Sequence, residues 1–394
     1  MQPRDLPSAL LKDASSERAA EEGPLRGLRL AVKDCFELRG ARTGFGQPTF
    51  LAQSKEAKAD AALVAAHLAQ GCQLVGKAQM VEMAFALTGR NSHYGTPMNA
   101  KHPDRLPGGS SSGCAAAVGA LEADLGLGTD TFGSIRVPAS YCGLFGWRPS
   151  HGRANSEGVI PLAPSLDTPG WLSREMAPLQ RVENALFSAH PAPEITPEWP
   201  ARVPTVLLNR LDGSCRKAFE SLMNRLPDFL SLIDLPLDVA RWVSALRIIQ
   251  GFEAWQAHGP FIETHQPQLG PGIRERFRFA ASVSHSDYRR ALEERRLCGQ
   301  EFEAAIDPAS LLCFPTAPGP APSLEEPEAA LEAHRTVLLQ LMALSSLRGS
   351  PEISLPLLTI KGLSVGVSLV APRHTDRILL QRARELTQRA LAAP

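Results

Sequence analysis

Between Pro107 and Ser140 the chain reads PGGSSSGCAAAVGALEADLGLGTDTFGSIRVPAS. Two glycine-rich, serine-bearing turns are separated by a helix-forming run, CAAAVGALEADL (114–125), and a short apolar strand, LGLGTD (125–130). A flexible spacer fits poorly, because linkers do not lead straight into a strong helix with a second glycine turn close behind. A phosphate cradle of the GxxxxGK[ST] type lacks its lysine. Gly109–Gly113 formally matches G-x-S-x-G, with Ser111 as nucleophile. That elbow must follow a buried strand, whereas NAKHPDRLPG, just ahead, is polar and holds two prolines.

The second turn carries more chemistry. Pro138 is tolerated only in a first helical turn, so a helix is expected to start near Ser134. The backbone N–H groups of Thr131, Phe132, Gly133 and Ser134 would then lack helical acceptors and converge on one spot. Such a nest, reinforced by the helix dipole, suits an oxyanion. An ordinary serine N-cap is the plainer alternative. A nucleophilic serine needs a base, and the ten histidines are scattered without a triad context. Lys33 ends LRLAV, a buried-strand pattern. Burial disfavours the charged amine and lowers its pKa, and a neutral lysine serves as base in Ser-Lys variants of the triad.

The rest of the chain alternates strand and helix signals. LRGLRLAVKDCF (25–36) reads as a strand, DAALVAAHLAQGC (60–72) as a helix, and QLVGKAQM (73–80) as a strand with its turn. A Pro-rich stretch (190–204) precedes a strand at TVLLN (205–209) and a helix at 214–226. Residues 235–305 are rich in helix formers; strands follow at SLLCFP (310–315) and LSVGVSLVAP (363–372), then a terminal helix (375–391). The alternation predicts α/β layers with a mixed or parallel sheet. The late return to strands predicts one interleaved domain over 1–394, the tail completing the first sheet. The 41 basic and 41 acidic residues balance, which leaves no electrostatic footprint for nucleic acid or an anionic membrane. Seven cysteines without a CxxC pair read as reduced thiols filling the core. The polar amino-terminal segment lacks an apolar signal core, and no apolar run reaches about 18 residues. A cytoplasmic protein is the resulting expectation. Neither HExxH nor a His/Cys cluster appears, so no metal or other cofactor is expected.

Lys33, the 107–113 loop and the Ser134 turn together resemble the amidase signature family. The stretch from Pro107 to Ser150 matches its hallmark, with 24 residues from Ser110 to Ser134 and 77 from Lys33 to Ser110. The likeness runs from about Leu25 through SLDTPGWLSR (165–174) and resumes at FPTAPGPAP (314–322), GSPEISLP (349–356) and GLSVGVSLVAP (362–372). Within the family, AVKDCFELRGARTGFG and FGWRPSHGR are similar to plant indole-3-acetamide amidases and their bacterial relatives. The resemblance implies one α/β domain with a large mixed sheet flanked by helices on both faces. It divides the chain into a signature core (about 25–175), a shortened variable middle (about 180–305) and a return to the core sheet (about 306–394). It also implies a Ser-Ser-Lys triad: Ser134 as nucleophile, Ser110 as bridge after a cis Gly109–Ser110 peptide, and Lys33 as base. Thr131, Phe132, Gly133 and Ser134 match the oxyanion-hole segment, with Ser111 and Ser112 in supporting hydrogen bonds. The implied reaction is hydrolysis of a small carboxamide to acid and ammonia through an acyl-enzyme, with aryl- or indole-acetamides as analogy-based substrates.

Two features depart from the family: Gly-Gly-Ser has become Phe132-Gly133-Ser134, and the middle is short. Phe132 must keep an ordinary backbone region, and its ring either narrows the acyl pocket or fills a packing gap. Asp130 is expected to cap the nucleophile turn, and Arg136 to pair with Asp130 or meet a substrate carboxylate. Trp147, Trp171, Phe36 and Phe145 are expected in the core rather than in an aromatic pocket. Asp167 and Arg174 are read as structural, and Cys142 as an inert thiol. Three other readings stay open: a glutaminase subunit feeding ammonia to a partner, an inactive scaffold plugged by Phe132, and a Ser-His-Asp esterase using Ser111. A homo-oligomer is also left open.

Overall fold

A computed structural model of the chain describes residues 9–11, 22–188 and 199–392. Ten strands form one sheet: β1 (Arg29–Lys33), β2 (Gln73–Ala78), β3 (Leu125–Asp130), β4 (Phe145–Arg148), β5 (Thr168–Ser173), β6 (Ala201–Pro204), β7 (Leu230–Ile233), β8 (Leu311–Pro315), β9 (Glu352–Ile360) and β10 (Leu363–Val370). Their order is β2-β1-β3-β5-β4-β9-β10-β8-β6-β7. The sheet is mixed. β1 pairs parallel with β2 and β3, and β6 with β7 and β8. The middle of the sheet, β3 through β8, is antiparallel.

Helices cover both faces. On one, the alanine-rich Ser112–Gly119 helix and the Arg136–Cys142 helix pack with Leu172 of β5. On the other, Leu125 and Leu127 of β3 and Trp171 of β5 meet Leu179 and Val182 of the Met176–Phe187 helix. Consecutive side chains of a strand face opposite ways, so Trp171 and Leu172 enter different cores. Trp147 stacks on Trp171 with ring centroids 4.9 Å apart, and Phe36 and Phe145 are buried in the same core. All seven cysteines are free and buried.

One expected element changes type. TVLLN was expected as a strand, but Thr205–Leu208 is a short helix, and the strand is the preceding ARVP. ARVP has ladder partners on both sides, β7 and β8. Pro204 ends the strand, and Leu207 and Leu208 turn back into the core. The Pro-rich stretch lies largely outside the described residues, as does most of the amino-terminal segment. Among the described residues no helix is long and apolar enough to cross a membrane.

Candidate active site

Three turns meet on the face covered by the Ser112–Gly119 and Arg136–Cys142 helices. β1 lies between β2 and β3, so its last residue, Lys33, is fully buried. Lys33 Nζ sits 2.8 Å from Ser110 Oγ and 2.7 Å from Thr129 Oγ1. Among the described residues no carboxylate forms an ion pair with it. Loss of hydration therefore pushes its pKa down.

Ser110 is held by backbone bonds rather than by its side chain alone. Its carbonyl accepts from Val81 N–H (3.1 Å), and the N–H of Gly109 donates to Leu87 (2.8 Å). The Gly109–Ser110 peptide is cis. Ser111 N–H donates to the carbonyl of Ser134 (3.3 Å), which ties the two turns together. The Ser111 hydroxyl donates to Thr129 O, not to a histidine. Gly128 lets this loop approach β3, since a Cβ there would lie 2.5 Å from Ser111 Oγ. Ser112 corrects an expectation: among the described residues its buried hydroxyl, at the first position of the helix, has no hydrogen-bond partner.

The Ser134 turn is organised by Asp130 at the end of β3. Its carboxylate accepts from the N–H groups of Gly133 (2.8 Å), Ile135 (3.0 Å) and Arg136 (3.3 Å). It also pairs with the Arg136 and Arg148 guanidinium groups. Burial opposes its charge, but the two arginines and these N–H donors outweigh it and hold the carboxyl well below the usual range. Gly133 therefore departs from expectation as an oxyanion donor, its N–H being directed at Asp130. No hydrogen bond occupies the N–H groups of Thr131, Phe132 and Ser134 among the described residues. Gly133 takes the strained place in the turn, at φ +113°, and a Cβ there would meet Met342 at 2.9 Å. Phe132 keeps a negative φ.

Arg136 is fully buried and bridges Asp130 to Glu352 (2.6 Å), Ser345 (2.7 Å) and Ser346 (2.9 Å). It is thus a structural ion pair, out of a substrate's reach. Asp167 accepts from the Thr131 hydroxyl (2.5 Å) and from Leu162 and Ala163 N–H. Burial pushes its carboxyl up to about 6 against those donors. Arg174 binds the carbonyls of Val118 and Ala123 and the carboxylate of Asp124, far from the serines in role.

The Ser134 hydroxyl makes no hydrogen bond to Ser110; it lines a cavity of about 20 Å³ with Phe132, Gln250, Arg335 and Leu339. Sequence reasoning missed four partners here. Thr129 was within reach, since it sits two residues after Leu127 on a recognised strand. Glu352, Gln250 and Arg335 come from distant elements and carry no local signal. Among the described residues no His/Cys/Asp/Glu group is arranged to hold a metal ion.

The Amidase family model matches residues 5–204 and 253–380. The chain is 38% identical to Amidase 1 of Oryza sativa subsp. japonica, covering 94% of this chain and 92% of that one. It is 36% identical to Amidase 1 of Arabidopsis thaliana, over 90% and 91%. A solved crystal structure of an amidase superposes with a TM-score of 0.85 at 32% identity, over 93% of this chain and 86% of that one. On the fold, the two serine turns and these likenesses together, the chain belongs to the amidase family, enzymes that hydrolyse carbon–nitrogen amide bonds.

Proposed function

We propose that this amidase hydrolyses a small carboxamide, R–CO–NH₂, with Ser134 as nucleophile, Ser110 as proton relay and neutral Lys33 as base. The observation that carries the reading is the Lys33 amine, buried without a carboxylate and 2.8 Å from Ser110 Oγ. In the loaded site the Ser134 hydroxyl turns onto Ser110, a bond of the kind that tightens only when substrate is bound. Lys33 takes the Ser110 proton as Ser110 takes that of Ser134, and Ser134 Oγ bonds to the amide carbon. The carbonyl oxygen gains the electron pair and is met by the N–H groups of Thr131, Phe132 and Ser134. Preorganised donors of this kind each contribute about 10²–10³ in rate. Collapse of the tetrahedral intermediate breaks the C–N bond, and the relay returns a proton to nitrogen so that ammonia leaves. Water, deprotonated by the same relay, then releases the acid from the acyl-enzyme.

Ser134→Ala is expected to lower ammonia release by at least about 10⁴-fold. A fluorophosphonate is expected to label Ser134, located by peptide mass spectrometry. Label on Ser111 would replace this reading with an esterase-like one, and turnover retained by Ser134→Ala would end it.

A further inference from the structure

The cavity at Ser134 holds about one water, so substrate must arrive from elsewhere. Phe85, Gln250 and Arg335 line that cavity and also the wall of a larger cleft of about 460 Å³. The cleft is within the size range of small-molecule sites, and Arg335 and Gln250 stand between it and the serine's cavity, lining both.

Charge in the cleft is unevenly placed. The Arg335 and Arg276 side chains are 14% and 17% exposed, whereas Glu332 and Glu328 are 55% and 70% exposed. The guanidinium groups belong to the wall and the carboxylates to the rim. Glu332 pairs with both arginines, at 2.9 Å from Arg335 and 3.8 Å from Arg276. Glu328 turns to Arg90 (3.7 Å). Glu275 accepts from Gly272 N–H (2.6 Å) and pairs with Arg274 (3.1 Å). Arg247, exposed on the same cleft, stacks over Phe279 and forms no ion pair among the described residues. Burial pushes both guanidinium groups down, Arg276 to about 10; Arg335 beside Arg276 and Arg247 beside Arg335 add to it, while Glu332 opposes it at both and Glu328 and Glu275 oppose it at Arg276. Three arginines and three glutamates line the cleft, but Arg335 and Arg276 lie in its wall while Glu332 and Glu328 reach into solvent at its rim.

We propose that this cleft selects amides whose acyl chain ends in a carboxylate, with Arg335 binding the carboxylate while the amide carbon lies at Ser134. The inference rests on the reading of Ser134 as nucleophile. Arg335 and the serine line one cavity, which calls for a short acyl chain between carboxylate and amide. Half-amides of four- and five-carbon dicarboxylic acids have that form. Hydrolysis consumes one water, converts the amide to a second carboxylate and releases ammonia. A guanidinium fork suits a carboxylate in two-point contact. The substrate's carboxylate competes with Glu332, which is largely in water and readily displaced.

The test compares glutaramate with valeramide, its neutral analogue of equal chain length, by kcat/KM for ammonia release. Wild type is expected to prefer glutaramate by about 10–100-fold, the range of a hydrogen bond to a charged group. Arg335→Gln is expected to bring the ratio close to one, chiefly through KM for glutaramate. Glu332→Gln, which removes the competitor, is expected to raise the ratio, a gain that misfolding cannot imitate. Equal kcat/KM in wild type, or a ratio that Arg335→Gln leaves alone, overturns the inference while the nucleophile reading stands. If no amide is hydrolysed, the Ser134 reading fails, and calorimetry with glutaramate and neutral valeramide, bound without turnover, decides the anion site on its own. Tighter glutaramate binding that Arg335→Gln removes would support the site; equal or absent binding of the two would overturn it.

Discussion

Lys33 shows what the fold demands of a single residue. Its amine is buried with two hydroxyl partners and, among the described residues, no carboxylate in ion-pair contact. In the unfolded chain it titrates near its ordinary value of 10.5, and burial lowers it in the native state. Between those two values the unfolded state binds a proton that the folded state does not. Stability therefore rises with pH in that window, as the cost of deprotonating the amine disappears. Relative to Lys33→Met, which cannot titrate, wild type is expected to gain unfolding free energy between pH 7.5 and pH 9.5 in urea denaturation. Lys33→Met is expected to lack turnover at both values. A stability difference flat across that range would mean an ordinary, charged lysine and would sink the neutral base. On the acid side, kcat/KM is expected to fall as Lys33 takes up its proton.

At the scale of elements, the Ser134 turn is a junction. Arg136 joins the end of β3 through Asp130 to the start of β9 through Glu352, with Ser345 and Ser346 from the Glu328–Arg348 helix. Truncating one member of a buried ionic group leaves uncompensated charge and costs about 3–5 kcal/mol. Arg136→Ala is expected to lose that much in denaturant unfolding and to lose activity with it; a loss under about 1 kcal/mol would show that the turn stands without this junction. The same elements show what was legible in the sequence. β1, β2, β3, β8 and β10 announce themselves as apolar runs bounded by turn residues, and the two glycine turns mark where serines gather. β9 does not: EISLPLLTI carries Pro356, and a central strand rarely holds proline except at a bulge. Here the pairing of β9 with β10 shifts register across that proline, between Val365 and Val367. β4 has only four residues and no period to read. Gly133 was expected to offer its N–H to a ligand, because nothing local shows that Asp130, three residues back, takes it.

At the scale of the molecule, the core is closed to solvent reagents. All seven thiols are buried, and burial pushes Cys35 up to about 11 and Cys142 to about 12. Thiol reactivity follows the thiolate and its access. A disulfide exchange reagent such as DTNB is expected to titrate less than one thiol in the native protein and seven in guanidinium. Several reactive native thiols would reveal openings that the packing does not have. The strand order has a further result. β9 lies between β4 and β10, near the middle of the sheet, yet it is among the last segments of the chain. Glu352 is translated 216 residues after Arg136. At about 5–20 residues per second, that interval is roughly 10–40 s on the ribosome. Throughout it the nascent chain already contains Ser134 but lacks the strand that anchors its turn. The Ser134 turn therefore gains its Glu352 anchor only after β9 has been made.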